Sequence, residues 1–253
     1  MQLFFKEYGQ GRAIILLHGL FGSSDNWHYT AMQLSQQFRV FVLDQRNHGQ
    51  SPHSGEMNYP AMAADVEEFM TSREVATASL IGHSLGGKTA MQFALQFPDR
   101  VEKLIVEDMA PRPYPSVYEN YMTAMLSLDP ARYQTRQQLE DALAPAIPDL
   151  TLRRFLLKNL GRTPEGKFFW RINLRGMADN AARLREAITS TRPFTGPALF
   201  VRGGKSDYIR PEDQPGIRRL FSSAAIETIA EAGHWVHAEA PEQFMRAVLG
   251  FLG

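Results

Sequence analysis

Ala78-Ser79-Leu80-Ile81-Gly82-His83-Ser84-Leu85-Gly86-Gly87-Lys88 is the stretch on which the fold of this chain is decided. An apolar run, 78–82, reads as a strand, and 85–97 carries helical periodicity. Between them lies Gly-x-Ser-x-Gly, a pattern common by chance but demanding in context. In a nucleophile elbow, a tight strand-to-helix turn strains the serine, and small flanking residues avoid clashes. Here the motif has the required strand before it and helix after it. Ser84 is therefore the candidate nucleophile, and its place at a helix N-terminus lets the Leu85 N–H face an oxyanion. The plainer alternative is a serine capping an ordinary helix.

On either side of this stretch, short β-rich runs alternate with helical segments, the pattern of βα units around a mostly parallel sheet. Runs 3–8 and 13–17 flank Gly9-Gln10-Gly11 and read as a strand pair with a glycine turn. Helix 24–36, strand 38–43, helix 59–72 and strand 101–107 continue the order. From 111 to 193 the strand signal disappears, and prolines at 111, 113, 115, 130, 145, 148 and 164 divide the segment into short helices. This predicts a helical cap, 111–193, inserted into a core domain of 1–110 and 194–253. The alternative is a set of helices packed on the sheet like the others. Strands 198–203 and 225–230 and helix 241–251 complete the chain, without repeats or low-complexity segments.

Composition narrows the function classes. The chain has 253 residues, 44% apolar and 21% charged, enough for one large core. Lysine plus arginine equals aspartate plus glutamate at 27 each, so no global field favours nucleic acid or an anionic membrane. There is no cysteine, which excludes thiol nucleophiles, disulfides and thiolate zinc sites. The N-terminus lacks a signal-peptide pattern and no run reaches membrane-spanning length, so a cytoplasmic protein is expected. The histidines lack metal-ligand spacing, and neither metal nor cofactor is expected.

A serine nucleophile needs a base, an acid behind it and an oxyanion hole. His234, in Ala232-Gly233-His234-Trp235-Val236-His237, follows the last strand, and an imidazole is neutral enough at pH 7 to accept the serine proton. His237 is its rival. His18 is expected to brace its loop; His48 and His83 have no obvious catalytic geometry, though His83 adjoins the site. Two carboxylates can fix His234. Asp108 follows strand 101–107 and Asp207 follows strand 198–203; spacing slightly favours Asp207, although either satisfies a Ser, Asp, His order. For the oxyanion hole, the loop His18-Gly19-Leu20-Phe21-Gly22-Ser23 offers the N–H of Leu20, with Phe21 next.

The wider site is expected to include Phe21, His83, Trp235, Tyr114, Tyr118 and Trp170 at the substrate, with Tyr121, Met122, Met125, Phe155 and Met177 as further apolar candidates. Lys88, Arg112, Arg171 and Arg175 are candidates for a phosphate-bearing leaving group. An aspartate at position 84 would have pointed to alkyl-enzyme chemistry; serine points to acyl transfer.

Taken together, His18-Gly19-Leu20-Phe21-Gly22-Ser23 with Asp25-Asn26-Trp27, Asp44-Gln45-Arg46-Asn47-His48-Gly49-Gln50-Ser51, Gly82-His83-Ser84-Leu85-Gly86-Gly87-Lys88, Asp108-Met109-Ala110-Pro111 and Gly233-His234-Trp235-Val236-His237-Ala238 amount to a family pattern. The chain resembles YbfF-type esterases, a bacterial α/β-hydrolase group with mitochondrial eukaryotic relatives. The resemblance covers essentially the whole chain. It implies an α/β-hydrolase fold with an inserted helical cap, and cofactor-free hydrolysis of short-to-medium acyl esters and of acyl-CoA thioesters. It also favours Asp108 over Asp207, since relatives regularly carry an aspartate at the position of Asp108. A lyase or perhydrolase using the same triad, or a non-catalytic small-ligand receptor, are the competing functions. A monomer or weak homodimer is expected.

Overall fold

A computed structural model of the chain describes residues 1–116 and 118–253. Its centre is a seven-stranded sheet made of β1 (Phe5–Tyr8), β2 (Ala13–Leu17), β3 (Arg39–Leu43), β4 (Ala78–His83), β5 (Val101–Glu107), β8 (Ala198–Gly203) and β9 (Ala224–Ile229). The spatial order is β1-β3-β2-β4-β5-β8-β9, with β1 antiparallel to β3 and every other pairing parallel. The expected pairing of the first two strands is corrected: β3 lies between them. The chain leaves β1 through Gly9, at φ 67°, where a Cβ would stand 2.3 Å from the Phe38 carbonyl oxygen. That tight passage carries the chain from the edge strand β1 across the start of β3 to β2.

The central strands are buried on both faces, which explains their nearly continuous apolar runs. Along β2, Ile15 and Leu17 join one core cluster and Ile14 and Leu16 the other, as the two-residue period requires. The first face is covered by α2 (Tyr59–Ser72), α3 (Leu85–Gln96) and α9 (Gln214–Leu220); the second by α1 (His28–Leu34) and α11 (Pro241–Leu252), with Trp27 and Phe244 between them. The short α10 (Val236–Glu239) follows β9. Helix 24–36 thus opens as a 3₁₀ turn, Ser24–Trp27, before α1.

Between β5 and β8 run α4 (Tyr118–Leu126), α5 (Arg136–Leu143), α6 (Leu150–Leu157), α7 (Leu174–Asp179) and α8 (Ala181–Leu184). Their buried residues, among them Met122, Met125, Leu139, Leu156 and Met177, join the core cluster on the α2–α3 face of the sheet. The segment is not wholly helical as expected. β6 (Leu160–Arg162) and β7 (Phe168–Trp170) form an antiparallel hairpin. Its turn, Thr163-Pro164-Glu165-Gly166, closes with the Gly166 N–H on the Thr163 carbonyl at 2.9 Å, with proline and glycine where a β-turn favours them. Among the described residues no helix is long and apolar enough to cross a membrane.

Candidate active site

The site forms where β4 gives way to α3. Ser84 sits at φ 52°, ψ −114°, a conformation that a non-glycine residue holds only under constraint. The constraint comes from packing. A Cβ on Gly82 would lie 2.2 Å from the Gly86 carbonyl oxygen, and one on Gly86 would lie 2.3 Å from that of Leu17. Only glycines let strand, helix and the neighbouring β2 approach so closely. The Ser84 N–H is tied to the Glu107 carbonyl at 3.1 Å, which anchors the turn to β5.

Asp108, the residue after β5, is also held in the left-handed region at φ 46° and is fully buried. Its Oδ1 accepts from the Gly203 N–H at 3.0 Å, and its Oδ2 accepts from Ser206 Oγ and lies 2.8 Å from His234 Nδ1. His234 Nε2 is buried without a hydrogen-bond partner among the described residues, and the ring shares a cavity with Ser84. An imidazole oriented by a carboxylate on one nitrogen and free on the other is equipped as a general base. The His234 ring is further fixed by Tyr208, stacked at 3.8 Å and 19°. Its backbone is fixed by His83 Nε2, which donates to the His234 carbonyl at 3.0 Å, and by Glu239, which accepts from the Gly233 and Trp235 N–H groups at 2.7 and 3.1 Å.

Asp207 stands elsewhere. Its side chain is 90% exposed and faces Arg210 at 3.9 Å, because the chain turns outward after Ser206. His237 is likewise engaged away from His234: its Nδ1 lies 2.8 Å from Glu107 Oε1, and its ring packs on Trp27.

The Leu85 N–H is the first of α3 and has no acceptor within the helix. On the opposing loop, the Phe21 N–H donates to His48 Nε2 at 3.2 Å, and the neighbouring Leu20 N–H has no partner among the described residues. His18 and His48 brace this loop. Each ring places Nδ1 on a carbonyl oxygen, of Gly19 and Arg46 respectively, and accepts a backbone N–H on Nε2, from Gln45 and Phe21.

Burial pushes the pKa of His18, His48 and His83 down, strongly for His48 and His83, where neighbouring histidines add to the effect. For His18 and His48, protonation would also turn Nε2–H against another N–H donor. These groups stay neutral in the folded chain, whereas an unfolded chain protonates them below about pH 6.5. Since the unfolded state then binds more protons, stability rises with pH and falls as pH drops below about 6.5, by up to about 1.4 kcal/mol per histidine per pH unit. Urea unfolding at pH 7, 6 and 5 is expected to show a falling midpoint at unchanged slope; a midpoint constant over that range would contradict the neutral assignment.

Two cavities meet at Ser84. One is lined by Leu20, Tyr59, Leu85, Lys88, Met109, Tyr114, Tyr118, Met122, Leu184 and Tyr208 among others. The second is lined by Phe21, Trp27, His83, Tyr118, Phe155, His234 and Trp235 among others. Tyr118 touches both, and its hydroxyl bonds that of Tyr208. Of the expected substrate residues, Tyr114 and Tyr118 line the first cavity, and Phe21, His83, Trp235 and Tyr118 the second. Trp170 is corrected: it lies on β7, pairs with Leu160 and borders neither. Tyr121, Met125 and Met177 pack elsewhere in the core. Arg112 pairs with Asp213 at 3.0 Å, Arg171 donates to the Leu160 carbonyl, and Arg175 is exposed. Lys88 alone of the four candidate cations lines a Ser84 cavity, and burial, with Arg112 adding to it, pushes its pKa down to about 7. Tyr208, Ser206 and Glu239 were not anticipated; only Glu239 left a trace in sequence, an acid four residues after Trp235 on a short helix.

Comparison with known proteins agrees with this architecture. The family model described as alpha/beta hydrolase fold matches residues 12–241. The chain is 40% identical over 248 residues to the sn-1-specific diacylglycerol lipase ABHD11 of Mus musculus, covering 95% of this chain and 80% of the relative. It is 35% identical over 242 residues to Esterase YbfF of Escherichia coli (strain K12), covering 94% and 92%. A solved structure, a marine microorganism esterase, superposes with a TM-score of 0.96 at 42% identity over 99% of both chains. With the family model spanning most of its length and such relatives covering nearly all of it, this chain belongs to the α/β-hydrolase family.

Proposed function

We propose that this α/β hydrolase is a serine carboxylesterase that works through an acyl-enzyme, with Ser84 as nucleophile, His234 as base and Asp108 as the acid behind it. The observation that carries the reading is one chain of contacts. Asp108 Oδ2 holds His234 Nδ1 at 2.8 Å, while His234 Nε2 is left open in the cavity that the strained Ser84 also lines. Relatives named esterase and lipase support ester hydrolysis as the reaction class.

In this mechanism His234 takes the Ser84 proton as Oγ attacks the acyl carbon, and the N–H groups of Leu20 and Leu85 hold the oxyanion. The imidazolium, stabilised by Asp108, returns the proton to the leaving oxygen or sulfur. Water then repeats the cycle on the acyl-enzyme. The leaving group must reach His234, so it occupies the cavity that His234 lines; the acyl chain takes the other, which holds Ser84 and Leu85 but not His234. The segment 111–193 acts as a cap over both, through Tyr118 and Met122 of α4 and Phe155 of α6. Such walls suit short-to-medium acyl groups, and the same chemistry extends to acyl-CoA thioesters.

The test is turnover of acetyl, butyryl, hexanoyl and decanoyl p-nitrophenyl esters and the matching CoA thioesters, with products identified. Esters of the shorter chains are expected to be hydrolysed to the carboxylic acid and p-nitrophenol. No turnover of any acyl substrate would overturn the reading.

A further inference from the structure

The acyl-side cavity ends on a cation that the ester chemistry does not use. Lys88 lies one turn along α3 from Ser84, on the same face, and its N–H bonds the Ser84 carbonyl at 3.0 Å. The residue is 1% exposed. Its ammonium donates to the Glu186 carbonyl at 2.5 Å and otherwise faces the rings of Tyr59 and Tyr114, with centroids 5.3 and 4.9 Å away. Nearby, Arg112 is matched by Asp213 and Arg185 by Glu119 at 3.4 Å, while the Glu186 carboxylate acts on Lys88 through space without forming an ion pair among the described residues. Lys88 has three N–H donors, a single carbonyl acceptor and no ion pair among the described residues. A buried ammonium in that state is costly unless an anion or strong acceptor completes it.

The geometry points to Lys88 as a binding site for a carboxylate at the far end of the acyl chain, so that the preferred substrates are half-esters of short dicarboxylic acids. This rests on the proposed esterase reading and on the acyl group entering the cavity that Lys88 lines. Both side chains line that cavity, so an acyl chain of a few carbons held at Ser84 can present its far end to the ammonium. The apolar walls would carry the methylenes, and Lys88 would form a desolvated, charge-assisted hydrogen bond to the terminal carboxylate.

The experiment compares monoethyl glutarate and monoethyl adipate with ethyl pentanoate and ethyl hexanoate, in the whole protein and in Lys88→Met. In the unaltered protein kcat/KM is expected to favour a half-ester over its neutral counterpart. That ratio should fall about tenfold or more in Lys88→Met, the size expected for such a bond. A second arm reads binding without turnover: glutarate should raise the melting temperature of the unaltered protein more than pentanoate does, and the difference should vanish in Lys88→Met. Neutral esters hydrolysed faster than half-esters, or a ratio unchanged by the substitution, would overturn the Lys88 site and leave the esterase reading standing. A melting point indifferent to glutarate would overturn it in a protein that hydrolyses nothing. If Lys88→Met does not fold, the substrate ratio and the glutarate effect in the unaltered protein still decide.

Discussion

Ser84→Ala is expected to reduce kcat for ester hydrolysis by about 10⁶-fold, the loss seen when the nucleophile of a cooperating triad is removed. The substitution deletes one oxygen from a buried side chain and leaves the backbone where Gly82 and Gly86 force it, so the fold should persist. The residual rate would come from the N–H groups of Leu20 and Leu85 and from substrate binding, neither of which needs the hydroxyl. Steady-state kinetics beside circular dichroism would check both halves. A variant that keeps more than about a hundredth of the activity would place the nucleophile elsewhere, since an oxyanion hole alone falls far short of that.

Asp108→Asn is the second large effect, about 10³ to 10⁴-fold in kcat. An asparagine can still accept from the Gly203 N–H, so little should change in packing. What changes is the partner of His234: a carboxylate oxygen that receives Nδ1–H and stabilises the imidazolium becomes a neutral amide that can force the wrong tautomer. Asp207→Asn, measured in parallel, should alter kcat less than about twofold, because exposed charges of this kind contribute little. A silent Asp108→Asn, or a large effect at Asp207, would reverse the assignment of the acid.

The contrast between these two aspartates shows where sequence reasoning stops. Both follow strands that end on the same edge of the sheet; spacing leaned towards Asp207 and the family resemblance towards Asp108. What distinguishes the two in the structure, a left-handed backbone at Asp108 and an exposed side chain at Asp207, is conformational and carries no residue-type signal. The elbow was readable because its glycines, strand and helix are adjacent in sequence, and the alternation of central strands was readable because burial on both faces leaves continuous apolar runs. Pairing was less so: neighbours in sequence suggested β1 beside β2, whereas β3 lies between them. The strands of the β6–β7 hairpin are three residues each, too short for a two-residue period to register, and Pro164 read as a helix break when it marks a turn. Tyr208, stacked on His234, lay in a loop where an aromatic residue has no sequence context to announce it.

Intact-mass and peptide mass spectrometry after rapid mixing with p-nitrophenyl butyrate, quenched in acid within the first turnover, would locate the acyl group on the chain. The account predicts a burst of p-nitrophenol approaching one per chain if deacylation is the slower step, and a butyryl group on the peptide that contains Ser84, absent in Ser84→Ala. A butyryl group on a different residue, or steady hydrolysis that survives the loss of Ser84, would contradict it.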